Sequence, residues 1–214
     1  MSAEQREQER RTRLIDAAIE LIGTRGATAA TVTAVCALSR VTSRYFYQHF
    51  SDREGLLRAV YRQVYSSMQE AVVDAISQTD VTPAELAYDP LRALVDMIEQ
   101  DRRLARIVFV ESSSEPILRE LRSELVAGFA ELVLHEARLH FMIADSAVGV
   151  AHLASTLGVG GLFEVFRRWV DGELDFTSED LVRHCAGLIG GLGMYVLSRD
   201  ERGDMGIAPG LSDI

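Results

Sequence analysis

With 214 residues, 48% of them hydrophobic and 25% charged, the chain is long enough for one large globular domain or two small ones. No run of 18 apolar residues occurs and the opening MSAEQREQERRTR has no apolar stretch, so neither a membrane span nor a secretory signal is expected, and the expected location is the cytoplasm. The net charge of −10 argues against a nucleic-acid partner until it is divided: residues 1–67 hold ten Arg against seven acids, and residues 68–214 hold twelve Arg against 25 acids.

All 22 basic residues are Arg. Every positive contact to a phosphate or a base would therefore be a planar, forked donor. Cys36 and Cys185 fall in apolar helical stripes far apart in sequence. They read as buried reduced thiols rather than as a disulfide or a metal pair.

Residues 1–9 are polar and are expected to fray. The run RRTR at residues 10–13 opens a first helix. Leu14, Ala17, Ala18, Leu21 and Ile22 form its apolar stripe, Gly23 loosens it, and Gly26 stops it as a C-cap glycine does. The stretch TVTAVCALSRVTSRYFYQHF, residues 31–50, then reads as two short helices joined by a tight turn. Thr31 is a good N-cap for the first, with Val32, Val35 and Cys36 as its stripe. LSRV at 38–41 is the turn, and Thr42 is the N-cap candidate of the second helix. Phe46 and Phe50, four apart, supply the buried face of that helix. Thr42, Ser43, Arg44, Tyr45, Tyr47, Gln48 and His49 are left for its other faces. Such a surplus of exposed donors and flat rings on a short helix suits DNA: phosphates take Arg, Thr, Tyr and helix N-termini, and base edges take Arg and small hydroxyls.

This segment resembles the N-terminal domain of the TetR family of transcriptional repressors. There, a helix ending at Gly precedes a Thr-capped helix, a turn, a recognition helix ending in Tyr-x-His/Tyr-Phe, and a capped fourth helix with a basic residue in its first turn. Here the matching residues are Gly26, Thr31, Tyr47, His49 and Phe50, then SDREGL at 51–56. The match runs from about Arg10 to Leu57 without gaps. The family usually has Ala where Cys36 and Ser39 stand, and Gly where Arg40 stands. The last departure matters most, because positive φ costs about 1 kcal/mol or more for a residue with a Cβ. Either the turn differs, or Arg40 accepts the strain and gains a phosphate contact. The resemblance implies that Thr42, Ser43, Arg44 and Tyr45 read bases, and that Thr33, Tyr47, His49 and Arg53 hold phosphates. It also suggests that the arm at residues 10–13 reaches DNA; a solvated helix end is an equal reading.

Beyond the turn, Asp52 caps a fourth helix with Leu56, Leu57, Val60, Val64 and Met68 as its stripe. In the family this helix links head and body, and a signal would reach the head as its tilt. Residues 78–90 contain Pro83 and Pro90 and read as a connection with room for one turn of helix. A stripe returns at Leu91, Leu94, Val95 and Ile98. Residues 112–116 are a break, with Ser114 a candidate cap. A long helix follows to about Phe141, then two more, over about 146–171 and 178–197. The last two hold Gly158, Gly160, Gly161, Gly187, Gly190, Gly191 and Gly193. Each mid-helix Gly costs roughly 0.5–1 kcal/mol against Ala, and close helix approach is the natural reason to keep them. In TetR-like proteins the last two long helices pair with their copies in a four-helix bundle. On that basis Gly158, Phe166, Trp169, Gly187, Gly191 and Leu192 are the dimer candidates.

His135, Glu136 and His140 resemble a helical zinc box, but its two His must stand four apart and these stand five apart. No metal or cofactor is expected. His152 reads as a core histidine or a cavity residue. Tyr65, Met68, Met97, Phe109, Phe129, His152 and Phe163 are candidates to line the small-molecule cavity that the resemblance implies. The acidic body suggests an apolar or cationic effector.

The expectation is an all-α chain: a three-helix helix-turn-helix domain at 1–52, a larger helical bundle for effector binding and dimerisation at 53–200, and a disordered tail at 201–214. Its partners would be operator DNA, a second copy of itself and an unknown small-molecule effector, with no membrane. It would be a regulator and not an enzyme. The rival is a helical small-molecule-binding protein or enzyme without DNA binding.

Overall fold

The computed structural model describes residues 2–76, 82–111 and 116–200; the expected tail at 201–214 and the candidate cap Ser114 lie outside them. Among the described residues there are nine α-helices and no strand. The first three are α1 (Ala3–Arg25), α2 (Val32–Ser39) and α3 (Ser43–His49). The expectation of a frayed start is corrected. A capping box closes the first turn of α1: Ser2 Oγ accepts from Gln5 N at 3.1 Å, and Gln5 Oε1 accepts from Ser2 N at 2.7 Å. Leu14, Ala18, Ile22, Val35, Phe46 and Phe50 are all buried, so the three stripes meet in one small core.

The rest comprises α4 (Arg53–Ile76), α5 (Pro83–Gln100), α6 (Arg102–Ala105), a π-helical turn Arg106–Val110, α7 (Pro116–Phe141), α8 (Val148–Val170) and α9 (Ser178–Asp200). The connection expected up to residue 90 is corrected: α5 starts at Pro83 and runs straight through Pro90. Two local features carry it. Pro83 sits at N1, where its missing N–H is harmless, and Thr82 and Glu85 form a capping box. Pro90 removes one bond inside the helix, but Pro90, Leu91, Val95 and Ile98 are buried, and α5 packs on α4 and α9.

The core is continuous from α1 to α9. The absence of an 18-residue apolar run needs one qualification. Segments 145–170 and 178–199 are long and apolar enough to cross a bilayer by length and composition alone. In the fold both are body helices: α8 packs on α7 and α9, and α9 packs on α5. Their glycines divide by face. Gly158 meets Ile189, while Gly190 and Gly193 meet Ala84 and Pro83, so these three serve packing within the protomer. Gly160, Gly161, Gly187 and Gly191 face open space.

Candidate nucleic-acid interface and ligand cavity

The helix pair at residues 31–50 is built by local chemistry. Thr31 Oγ1 accepts from Ala34 N at 3.2 Å and starts α2. The helix ends at Arg40, whose φ of 55° and ψ of 35° put it in the left-handed region. The turn therefore has its usual strained geometry, with a residue that carries a Cβ. Arg13 donates to Ser39 O and ties α1 to this turn. Thr42 has N-cap backbone geometry for α3 but makes no side-chain cap bond, which leaves its hydroxyl uncommitted to the helix. Phe46 is fully buried, and its ring lies 5.5 Å from that of Phe50.

This anchoring turns Thr42, Ser43, Arg44, Tyr45, Tyr47 and Gln48 outward, and Thr33 is exposed on the first turn of α2. His49 is half-buried, with no partner for Nε2 among the described residues. Burial holds its pKa below the ordinary value; Glu7 opposes this, and Arg10 and Arg11 reinforce it. The basic arm lies against the recognition helix, with the Arg10 guanidinium 4.5 Å from the Tyr45 ring centre and that of Arg11 5.6 Å from Phe50. Arg53, assigned above to a phosphate, binds elsewhere in this structure. Its Nε donates to Ala30 O at 3.1 Å and its Nη2 to Ala27 O at 2.7 Å, which clamps the loop between α1 and α2.

Helices α4, α5, α7, α8 and α9 enclose a cavity of about 200 Å³. Of the expected lining residues, Met68, Phe109, Phe129 and Phe163 do line it. Tyr65 stands behind Phe129, ring to ring at 5.4 Å, and Met97 packs in the core away from the cavity. His152 is exposed and meets Glu131 at 3.2 Å. Three proposed dimer residues, Gly158, Phe166 and Leu192, turn inward and line the cavity instead. Trp169 is half-buried, with its indole N–H on Phe176 O at 3.0 Å. Gly187 and Gly191 are exposed.

Sequence reasoning found the stripe of Leu91 and Leu94 but not the first two turns of α5, which add Leu86 and Pro90, and it named none of these four, nor Glu136, as cavity residues. The signals were present. TPAE at 82–85 is a capping box, and Glu136 continues the stripe of Leu125, Phe129 and Leu132 by one more step.

Besides α4, which lines the cavity and packs on α1, a short segment links the cavity to the N-terminal helices. Phe109 lies on the π turn, with ring centres 4.8 Å from Phe163 and 5.6 Å from Phe166. Two residues on, the buried carboxylate of Glu111 accepts from Ala27 N at 2.8 Å and from Arg106 Nε at 3.0 Å. Just before that turn, Arg103 Nη1 donates to Glu20 Oε2 of α1 at 2.6 Å. The approach is close enough that a Cβ on Gly23 would overlap Arg103.

Residues 14–60 match the family described as bacterial regulatory proteins, tetR family. The HTH-type transcriptional regulator BetI of Stenotrophomonas maltophilia is 30% identical over 185 residues, covering 78% of this chain and 92% of that protein. The fatty acid degradation regulator FadR from Bacillus halodurans shares the fold with a TM-score of 0.69 at 20% identity, over 84% of this chain and 97% of that one. FadR from Bacillus subtilis, solved in complex with stearoyl-CoA, does so with a TM-score of 0.65 at 19% identity, over 87% and 97%. With a helix pair that exposes its donors and a near full-length relative of the same type, the chain belongs to the TetR family of transcriptional regulators.

Proposed function

We propose that this regulator is a cytoplasmic homodimeric repressor, which holds a palindromic operator through α3 of each protomer and releases it when a small molecule with a largely apolar body fills the cavity. Residues 1–52 would form the DNA-binding unit and residues 53–200 the effector and dimer unit. Thr42, Ser43, Arg44 and Tyr45 would read bases, while Thr33, Tyr47 and His49 would hold phosphates.

One observation carries the coupling. Phe109 lines the cavity, and Glu111, two residues on, holds the Ala27 N–H beside the helix pair. The cavity, at about 200 Å³, falls below the roughly 300–1,000 Å³ of ordinary ligand pockets. An effector of ordinary size would gain room by parting the aromatic wall of Phe109, Phe163 and Phe166. That gives it a different affinity for two states, which release requires. For the second copy, the outer faces of α8 and α9 present Gly160, Gly161, Gly187 and Gly191 among the exposed Leu153, Leu157, Leu188 and Tyr195. Small residues beside exposed apolar ones suit a close helix-to-helix seam between copies.

The test is selection of bound duplexes from a random pool, repeated across salt concentrations. The expected result is a palindrome whose half-sites lie roughly 34–36 Å or somewhat more apart, bound with a steep salt slope. Weak, featureless binding at every salt concentration would overturn the reading.

A further inference from the structure

Among the described residues that line the cavity, Glu136 alone is charged, and Ser155 is the other one with a polar side chain. The Ser155 hydroxyl is engaged, donating to Ala151 O at 2.9 Å. Glu136 is held more loosely, by a long ion pair with His140 one turn on. Its carboxylate lies 3.8 Å from His140 Nε2, beyond hydrogen-bond range, and makes no hydrogen bond among the described residues. On α7 it follows Leu125, Phe129 and Val133 down the cavity face, a position that packing alone would give to an apolar side chain. A carboxylate set against hydrocarbon is unfavourable unless a cation or donors meet it.

We propose that Glu136 is the counter-ion for a lipophilic monocation, an ammonium or amidinium group on a slender apolar body. This rests on reading the cavity as the effector site and gives that effector its chemical class. The cation sits at Glu136, in the half of the cavity away from the DNA-binding helices, which Phe141 also lines. The body points toward Phe109, Phe163 and Phe166. From Glu136 back to Leu125 is eleven residues of α7, about 16 Å along the axis, so the body is long relative to its width. The lining does not suit an anionic head. It includes no Arg, Lys or His among the described residues, and Arg122, at the aromatic end, lies 4.9 Å from the Phe163 ring centre.

The experiment is calorimetric titration of the full chain with three probes of equal length: decyltrimethylammonium, 1-decanol and decanoate, each below its micellar concentration. It is repeated with Glu136→Gln and with Glu124→Gln, a control on the exposed side of α7. The native chain binds the ammonium probe most tightly. Glu136→Gln weakens that binding about tenfold or more while leaving decanol within about twofold, and Glu124→Gln changes neither. Decanoate binding as tightly as the ammonium, or Glu136→Gln weakening ammonium and alcohol alike, overturns the proposal. So does equal binding of ammonium and alcohol to the native chain, a result that leaves the cavity standing as the effector site. Binding of none of the three overturns the cavity reading itself. Should Glu136→Gln fail to fold, the ranking of the probes on the native chain decides alone.

Discussion

Glu111 accepts the backbone N–H of Ala27 at 2.8 Å across 84 positions of sequence. The loop between α1 and α2 is thereby gripped from two sides: Glu111 holds its N–H, and Arg53 holds the carbonyls of Ala27 and Ala30. Gly26 permits this with a φ of 90°. Glu111→Ala leaves a buried N–H unsatisfied, which costs about 1–3 kcal/mol. The expected outcome is a lower melting temperature together with weaker release of DNA by effector, because the cavity and the helix pair lose their shared contact. Glu111→Gln keeps an acceptor and shows the smaller effect. An alanine variant as stable and as responsive as the native chain would remove the coupling role.

Arg44 and Tyr47 separate two kinds of contact. Both are exposed beside the buried Phe46, so substitution leaves the packing of α3 intact. Arg44→Ala should change which sequences are selected, at about 1–3 kcal/mol for the base it reads. Tyr47→Phe, which removes one hydroxyl, should weaken binding to all duplexes alike. Arg53→Ala should behave differently from both, lowering thermal stability as well as DNA affinity, since its guanidinium holds the loop. Selection profiles for the three variants, read beside their melting curves, decide between these outcomes.

The contrast between Arg53 and Phe46 shows what was legible in the sequence. Phe46, Phe50, Leu14 and Val35 follow periodicities of three and four, and a buried stripe is a local property of a helix. Thr31 was legible as a local cap, while the left-handed position of Arg40 was an open alternative that only the structure decides. Arg53 was read as a phosphate contact from the resemblance, and its partners in the fold, two backbone carbonyls 23 and 26 positions away, leave no mark on sequence. The first two turns of α5 were hidden by Pro83 and Pro90, where breaker signals outweighed a capping box and the tertiary packing that supports the helix. The glycines of α8 and α9 announced close approach but not which face approaches what. Gly158 and Gly187 look alike in sequence, yet the first packs on Ile189 and the second faces open space.

His49 gives the DNA-binding helices a pH dependence. Burial keeps its imidazole below its ordinary value, so the folded state favours the neutral ring. A depressed histidine contributes stability that is full above pH about 6.5 and is lost as the pH falls through the lower folded value. The native chain should therefore lose more thermal stability between pH about 7 and about 5 than His49→Gln does. Parallel losses in the two proteins would show that His49 does not set this dependence.

The last pair of substitutions tests the two faces of α9. At Gly190 a Cβ would lie 2.6 Å from Ala84 Cβ and 2.8 Å from its Cα, and a backbone atom cannot swing aside. Gly190→Ala must push α5 from α9, a strain of about 1–3 kcal/mol that exceeds the gain in helix propensity. At Gly187 a Cβ would meet nothing within 4 Å in the protomer. Gly187→Ala therefore stabilises the isolated protomer by roughly 0.5–1 kcal/mol. In a dimer whose seam runs over this face, the same methyl group would occupy the space taken by the second copy. The expected result is a higher protomer stability under dissociating conditions and a weaker dimer by sedimentation. Unchanged sedimentation with Gly187→Ala, and again with the larger Gly187→Leu, would place the seam on another face.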